Sequence, residues 1–249
     1  MKPEEMRTIG MMGGGVMGGG IAQVLAIAGY RIILRDLTQE LLDKTQATVV
    51  DGRFGMRAGV QRGKLTDADM EAALSRMDFT TEMADLRDVD LLIEAIPEDM
   101  ELKRKVFAEL DNLIRPEAIF ATNTSGFALA DLNQAVSRKD RFAGMHWFSP
   151  VPAMKLVEVI YSPETSEDTI ACVEAAGTKA GKMTIRVKDA PGKYGFVANR
   201  IYYAAVAESR KVLEEGVASP EDIDKAMVYG FNWPVGPLAM GAGAKSGWA

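Results

Sequence analysis

The chain has 249 residues, enough for one large domain or two modest ones. It is 47% hydrophobic and 26% charged, with a formal net charge of −6, which excludes the broad basic surface of a nucleic-acid binder. A lone cysteine, Cys172, excludes a disulfide framework within one chain and points to a reducing compartment.

In chain order, Thr8–Met12 (TIGMM) reads as a strand, residues 16–28 as a helix and 31–34 (RIIL) as a second strand, with helical character again from Gln39. Strand-like runs recur at 90–95 (DLLIEA), Ile119–Thr122 (IFAT), 141–145 and 156–160 (LVEVI). Helical periodicity fills 101–115 and 165–181 between them. Near-continuous apolar strands alternating with helices imply a mostly parallel sheet covered on both faces. The character changes at KDAPGKYG, residues 188–195, a Pro/Gly-rich break. Beyond it, residues 194–215 read as a helix ending at Gly216. Ser219 then caps another, with Pro220 at its first position and acids in its first turn. The tail GAGAKSGWA shows no periodicity. The expected architecture is α/β: a Rossmann-type, doubly wound, mostly parallel sheet over residues 1–190, followed by a short all-helical C-terminal domain over 191–249.

The segment Gly13-Gly-Gly15-Val16-Met17-Gly18 fits G-x-G-x-x-G, in the context that gives the pattern meaning: after a strand, at the start of a helix, with Asp36 closing the next strand. Gly13 permits the tight turn, Gly15 lets the backbone approach a pyrophosphate, and Gly18 lets helix and strand pack closely. The helix N-terminus presents N–H groups and a positive dipole end. Asp36 would accept hydrogen bonds from a ribose and repel a 2′-phosphate, favouring NAD over NADP. The neighbouring Arg35 weakens that preference slightly. A glycine-rich turn without a ligand is the bland alternative.

The chain has one histidine, His146, after a predicted strand in GMHWFSP. A dehydrogenase must remove a hydroxyl proton as hydride leaves the same carbon, and imidazole is the side chain suited to that near neutral pH. Glu158, twelve residues on in KLVEV, could orient the imidazole from a neighbouring strand and stabilise its cation. Alternatively it is an exposed strand residue, since Val157 and Val159 flank it and alternation alone does not decide. Ser125, just after IFAT, lies where ligands sit in such folds, and a hydroxyl there could bind a substrate oxygen. Ordinary turn chemistry explains Asn123-Thr-Ser-Gly equally well.

Taken together, GGGVMGGGIAQVLAIAGY, IEAIPEDMELKRKVFAELD, FATNTS, DRFAGMHWFSPVPAMKLVEVI, KDAPG with GFVANR, and EDIDKAMVYGFNWPVGP resemble the (S)-3-hydroxyacyl-CoA dehydrogenase family, also called 3-hydroxybutyryl-CoA dehydrogenase, over roughly residues 7–238. The resemblance implies reversible NAD-dependent oxidation of a 3-hydroxyacyl-CoA, with His146 as catalytic base and Glu158 as its orienting carboxylate. Ser125 and Asn199 would hold the substrate's oxygen and thioester. Glu98, Lys103 and Asn123 would line the ribose and nicotinamide side of the cofactor. Read without the family, Glu98 and Lys103 are the exposed start of a helix.

The chain departs from the family at Ser149, usually asparagine, and at Trp147, commonly phenylalanine. It also has three extra residues, Lys193-Tyr194-Gly195, before Asn199. It stops soon after Gly236-Pro237, where relatives continue with helices that help form the dimer. A homodimer through the C-terminal domain is therefore an open expectation.

Coenzyme A carries several phosphate charges. Residues 53–64 (RFGMRAGVQRGK) hold Arg53, Arg57, Arg62 and Lys64 and no acid. On a continuous helix Arg53, Arg57 and Lys64 share one face, with Gly55, Gly59 and Gly63 as a second stripe where a flat ligand could approach. A solvated basic face is the other reading.

Two rival functions stay open: a dehydrogenase of a free hydroxy acid, which would have no use for that basic face, and a catalytically silent NAD-binding protein. Retention of Ser125, His146, Glu158 and Asn199 together argues against the silent one. The acids in MKPEEMRTIG do not suit a signal peptide, and no apolar run approaches the roughly 20 residues that span a bilayer. The expectation is a cytoplasmic protein with an acyl-CoA substrate and no metal, nucleic-acid or membrane partner.

Overall fold

Short apolar runs rich in Ile, Leu and Val become the strands of one eight-stranded sheet in the computed structural model, which describes residues 1–243. In chain order the strands are β1 (Thr8–Met12), β2 (Arg31–Arg35), β3 (Met77–Thr80), β4 (Leu91–Glu94), β5 (Ile119–Thr122), β6 (Phe142–Trp147), β7 (Leu156–Tyr161) and β8 (Met183–Lys188). Their spatial order is β3-β2-β1-β4-β5-β6-β7-β8. Every pairing is parallel except β6 with β7. The chain runs outward from β1 through β2 to β3, then returns to the other side of β1 at β4. That reversal opens a crevice at the carboxyl ends of β1 and β4, where ligands bind in doubly wound sheets.

Helices α1 (Val16–Ile27), α2 (Gln39–Asp51), α3 (Met56–Gln61), α4 (Asp67–Leu74), α5 (Met100–Leu113), α6 (Leu129–Leu132) and α7 (Glu167–Lys179) belong with this sheet. Side-chain caps start four of them: Thr38 on α2, Thr66 on α4, Asp99 on α5 and Ser166 on α7 each accept a first-turn N–H. One core runs through Ile9, Met11, Leu25, Ile32, Ile93, Ala121, Met145 and Val159. Away from the ligand edge, buried Arg138 ties the end of α5 to the approach of β6. It bonds Asp111 Oδ1 at 2.6 Å, and its guanidinium also donates to the carbonyls of Asp111, Ile114 and Arg115.

The chain divides into two compact units, Met1–Tyr194 and a second from Gly195 onward. The second holds α8 (Val197–Glu214), α9 (Pro220–Phe231) and α10 (Pro237–Gly241). Ser219 caps α9 through the Asp222 N–H, with Pro220 at the first position. Asp224 accepts the Leu238 and Ala239 N–H groups at the start of α10. Most of the aperiodic tail, residues 244–249, lies outside the described residues.

Two strands, β3 and β8, form where the sequence reading assigned no strand. β8 is an edge strand whose sequence, MTIRVK, keeps only Val187 buried, so it lacks an apolar run. The continuous basic helix over 53–64 does not exist. The chain breaks at residues 52–55, α3 lasts six residues, and Arg53 and Lys64 lie outside it. Gly55 caps α3, where a Cβ would sit 2.7 Å from the Val50 carbonyl oxygen, and Gly63 has φ +65°. The glycine spacing therefore serves turns rather than a flat ligand platform.

Candidate active site

The turn after β1 brings Gly13 to φ +100°, and a Cβ on Gly18 would lie 1.9 Å from the Gly13 carbonyl oxygen. Gly14 donates its N–H to Asp36 Oδ2 at 2.7 Å, and Thr45 Oγ1 donates to the Gly14 carbonyl at 2.6 Å. The turn is thus held from β2 and α2, through two residues, Gly14 and Thr45, that the motif itself does not single out. A Cβ on Gly15, by contrast, meets nothing within 4 Å. Gly15 is also the N-cap of α1 and offers no side-chain acceptor, unlike the four capped helices of this unit. Open space over Gly15, an uncapped helix start with Val16 and Met17 in its first turn, and the Asp36 carboxylate alongside fit a dinucleotide pyrophosphate and its ribose.

His146 and Glu158 face each other across the antiparallel pair β6–β7, in direct register. Nδ1 lies 2.7 Å from Glu158 Oε2, with the side chains 4% and 0% exposed. Both flanks of Glu158 are buried as well, because this strand is covered on both faces, and the exposed-strand alternative is excluded. An imidazole donating Nδ1–H to the carboxylate has Nε2 as its basic nitrogen. Phe148 packs against the imidazole with ring centroids 4.5 Å apart. The Asn123 side chain accepts the Trp147 N–H at 3.0 Å, so the end of β5 is fixed beside the histidine.

The loop after β5 is organised by Glu98. Its Oε1 accepts the Thr124 hydroxyl at 2.6 Å and the Ser125 N–H at 2.9 Å. Lys103 is fully buried rather than exposed: its Nζ sits 2.6 Å from Glu94 Oε1, 3.2 Å from the Ile96 carbonyl and 3.3 Å from Glu98 Oε2. Sequence reasoning missed Glu94, a strand-end acid whose partner stands nine residues on. Burial pushes the Glu94 carboxyl up, against the pull of the Lys103 ammonium and the Thr122 hydroxyl.

A cavity of about 400 Å³ runs beside the glycine-rich turn, lined among others by Gly15, Gly20, Arg53, Phe54 and Val151. Of the predicted basic residues Arg53 alone lines it. Arg57 pairs with Asp51 at 2.6 Å, Arg62 donates to the Arg53 carbonyl at 2.8 Å, and Lys64 is exposed. The Arg53 and Arg62 guanidinium groups both lie over the Phe54 ring. Buried Lys182 donates to the Val151 and Met154 carbonyls at 2.7 and 2.8 Å and so fixes the loop that walls the cavity. Burial holds its ammonium below the usual lysine range. Asn199 stands in the first turn of α8, in the second unit.

Known proteins are similar to this chain along nearly all of its length. The family model described as 3-hydroxyacyl-CoA dehydrogenase, NAD binding domain, matches residues 8–190, and that of the family's C-terminal domain matches 195–245. The chain belongs to the 3-hydroxyacyl-CoA dehydrogenase family. Its cofactor is accordingly NAD, and its class is that of an NAD-dependent oxidoreductase acting on a 3-hydroxyacyl-CoA. A probable 3-hydroxybutyryl-CoA dehydrogenase of Deinococcus radiodurans is 42% identical over 93% of this chain and 81% of its own. The mitochondrial hydroxyacyl-coenzyme A dehydrogenase of Homo sapiens is 37% identical over 94% and 75%. Among solved structures, (S)-3-hydroxybutyryl-CoA dehydrogenase from Ralstonia eutropha superposes with a TM-score of 0.89 at 42% identity, covering 94% of this chain and 81% of that one. Among the described residues no cluster of three or more His, Cys, Asp or Glu is arranged to hold a metal ion, and no helix is long and apolar enough to cross a membrane.

Proposed function

We propose that His146 is the general base of a reversible (S)-3-hydroxyacyl-CoA oxidation and that Glu158 positions and charges it for that work. The observation carrying this reading is the buried 2.7 Å His146–Glu158 pair on the strand beside the Ser125 loop. His146 Nε2 takes the substrate's hydroxyl proton, and the Glu158 carboxylate stabilises the imidazolium that results. In reverse the imidazolium returns the proton to the alkoxide. Ser125 holds the oxygen that becomes a carbonyl. NAD, when bound, supplies the hydride acceptor. Gly13, Gly15, Gly18 and the start of α1 would hold its pyrophosphate, Asp36 its adenosine ribose, and Glu98 and Asn123 its nicotinamide side.

The Arg53 and Arg62 guanidinium groups over the Phe54 ring support a thioester with a long polyanionic handle over a free hydroxy acid. We assign the second unit a role in homodimer formation, supported by its exposed Ile201, Tyr203, Tyr229 and Phe231. The lone, buried Cys172 supports a cytoplasmic location.

The test follows NADH absorbance with acetoacetyl-CoA. The wild-type chain consumes NADH, and His146→Gln cuts turnover by about 10² to 10⁴ while still binding NADH. Near-normal turnover in that variant would remove His146 from the mechanism. Faster turnover of free acetoacetate than of its thioester would overturn the substrate class.

A further inference from the structure

The acids and the lysine beneath the Ser125 loop form one connected unit. Glu94, the last residue of β4, is 0% exposed, and all its bonds run inward. Its Oε1 accepts Lys103 Nζ and the Ile96 N–H, and its Oε2 accepts the Thr122 hydroxyl at 2.7 Å. The Lys103 ammonium has three hydrogens, and three protein oxygens stand within 3.3 Å of it. It therefore has no donor left over for a cofactor. Glu98 is the one member that reaches solvent, with its side chain 34% exposed. Its second oxygen takes Thr124 and Ser125, with the Tyr194 hydroxyl at 3.4 Å. The unit joins two carboxyl groups and one amine, and its exposed end, Glu98, lies at the ligand edge of the sheet.

The geometry points to Glu94 as a positioning residue: through Lys103 it holds Glu98 against the Thr124 hydroxyl and the Ser125 N–H and so fixes where the Ser125 hydroxyl stands. This rests on the reading above, in which Ser125 touches the substrate and Glu98 the cofactor side. A buried ammonium needs a paired anion. With Glu94 neutral, Lys103 keeps only Glu98 as a full counter-charge and draws it down, off the loop. A purely architectural ion pair looks different here: Arg138 and Asp111 are also largely enclosed, with side chains 5% and 12% exposed, but their further bonds end on the backbone away from the ligand edge of the sheet.

The experiment compares steady-state kinetics and melting of Glu94→Gln, Thr122→Val, Glu98→Gln and Asp111→Asn. Glu94→Gln should lower kcat/KM about 10- to 100-fold, the scale of a misplaced contact group. Combined with Glu98→Gln it should cost little more than either change alone. Asp111→Asn should lower Tm with kcat and KM unchanged, showing that lost stability alone does not produce the kinetic effect. Thr122→Val removes the hydroxyl's bond to Glu94 without stranding a charge, together with its bond from the Thr124 N–H at 3.1 Å, so Thr122→Ser, which keeps both, is its control; it reports even if Glu94→Gln does not fold, and it should give a smaller loss of kcat/KM. Unchanged kinetics in folded Glu94→Gln, or in Thr122→Val, overturns the positioning role. If Ser125→Ala and Glu98→Gln also leave kcat/KM unchanged, the underlying reading of the site falls as well. If those two lower it and Glu94→Gln does not, only the present inference falls.

Discussion

Replacing Glu158 by glutamine would keep the shape of the His146 partner and remove its charge. The amide can still bond the imidazole, but as donor or acceptor, so it no longer selects the tautomer, and it offers a forming imidazolium no counter-charge. Turnover should fall by about 10² to 10⁴ with NADH affinity retained; rapid-mixing kinetics alongside fluorescence titration would separate the two. Equal losses in both would make Glu158 a residue of the fold instead. Nothing in the linear pattern KLVEV distinguishes this acid from an exposed one. Its pairing with His146 could be anticipated because the chain has a single histidine, because the two strands were read as neighbours and because the stretch resembles the family's. The burial of Lys103 was not legible at all. A lysine at a helix start reads as solvated, and only the folding of β4 beneath α5 supplies the acids that make its burial tolerable.

At the level of elements, the glycine-rich turn separates into parts that serve the fold and parts that serve the ligand. Gly18→Ala drives a Cβ into the Gly13 carbonyl and should destabilise the chain by at least 1–3 kcal/mol on the usual overpacking scale, roughly estimated. Gly15→Ala meets no protein atom, so it should melt near the wild-type temperature and yet bind NADH more weakly. Calorimetry on the two variants checks the contrast, and a Gly15→Ala protein with normal NADH affinity would contradict it. The β1–α1–β2 unit was readable because apolar period, turn chemistry and strand-end acid agree. The α2–α3 region was misread as one helix because charge spacing was weighed and the backbone needs of Gly52, Gly55 and Gly63 were not. β3 and β8 were missed because short or edge strands lack a buried run on which to recognise them.

For the molecule as a whole, acid stability should depend on the Arg138–Asp111 clamp. Burial pushes the Asp111 carboxyl up, but the Ser137 N–H and the Arg138 guanidinium outweigh it and hold it below the ordinary value of 3.8. A depressed carboxylate contributes stability that is fully present above the ordinary value and is lost as pH falls through the folded one. In urea titrations the wild type should therefore exceed Asp111→Asn in stability above pH 3.8, and the difference should shrink as the solution is made more acidic. A constant difference across that range would mean that hydrogen bonding rather than charge carries the effect.

Because His146 and Glu158 are paired across a hydrogen-bonded ladder, their separation is set by backbone geometry and not by the residues that join them. Residues 148–155 join the two strands but do not set the spacing of the pair, which the ladder fixes. A change in that connection would therefore reshape the loop before it altered the distance between the two side chains.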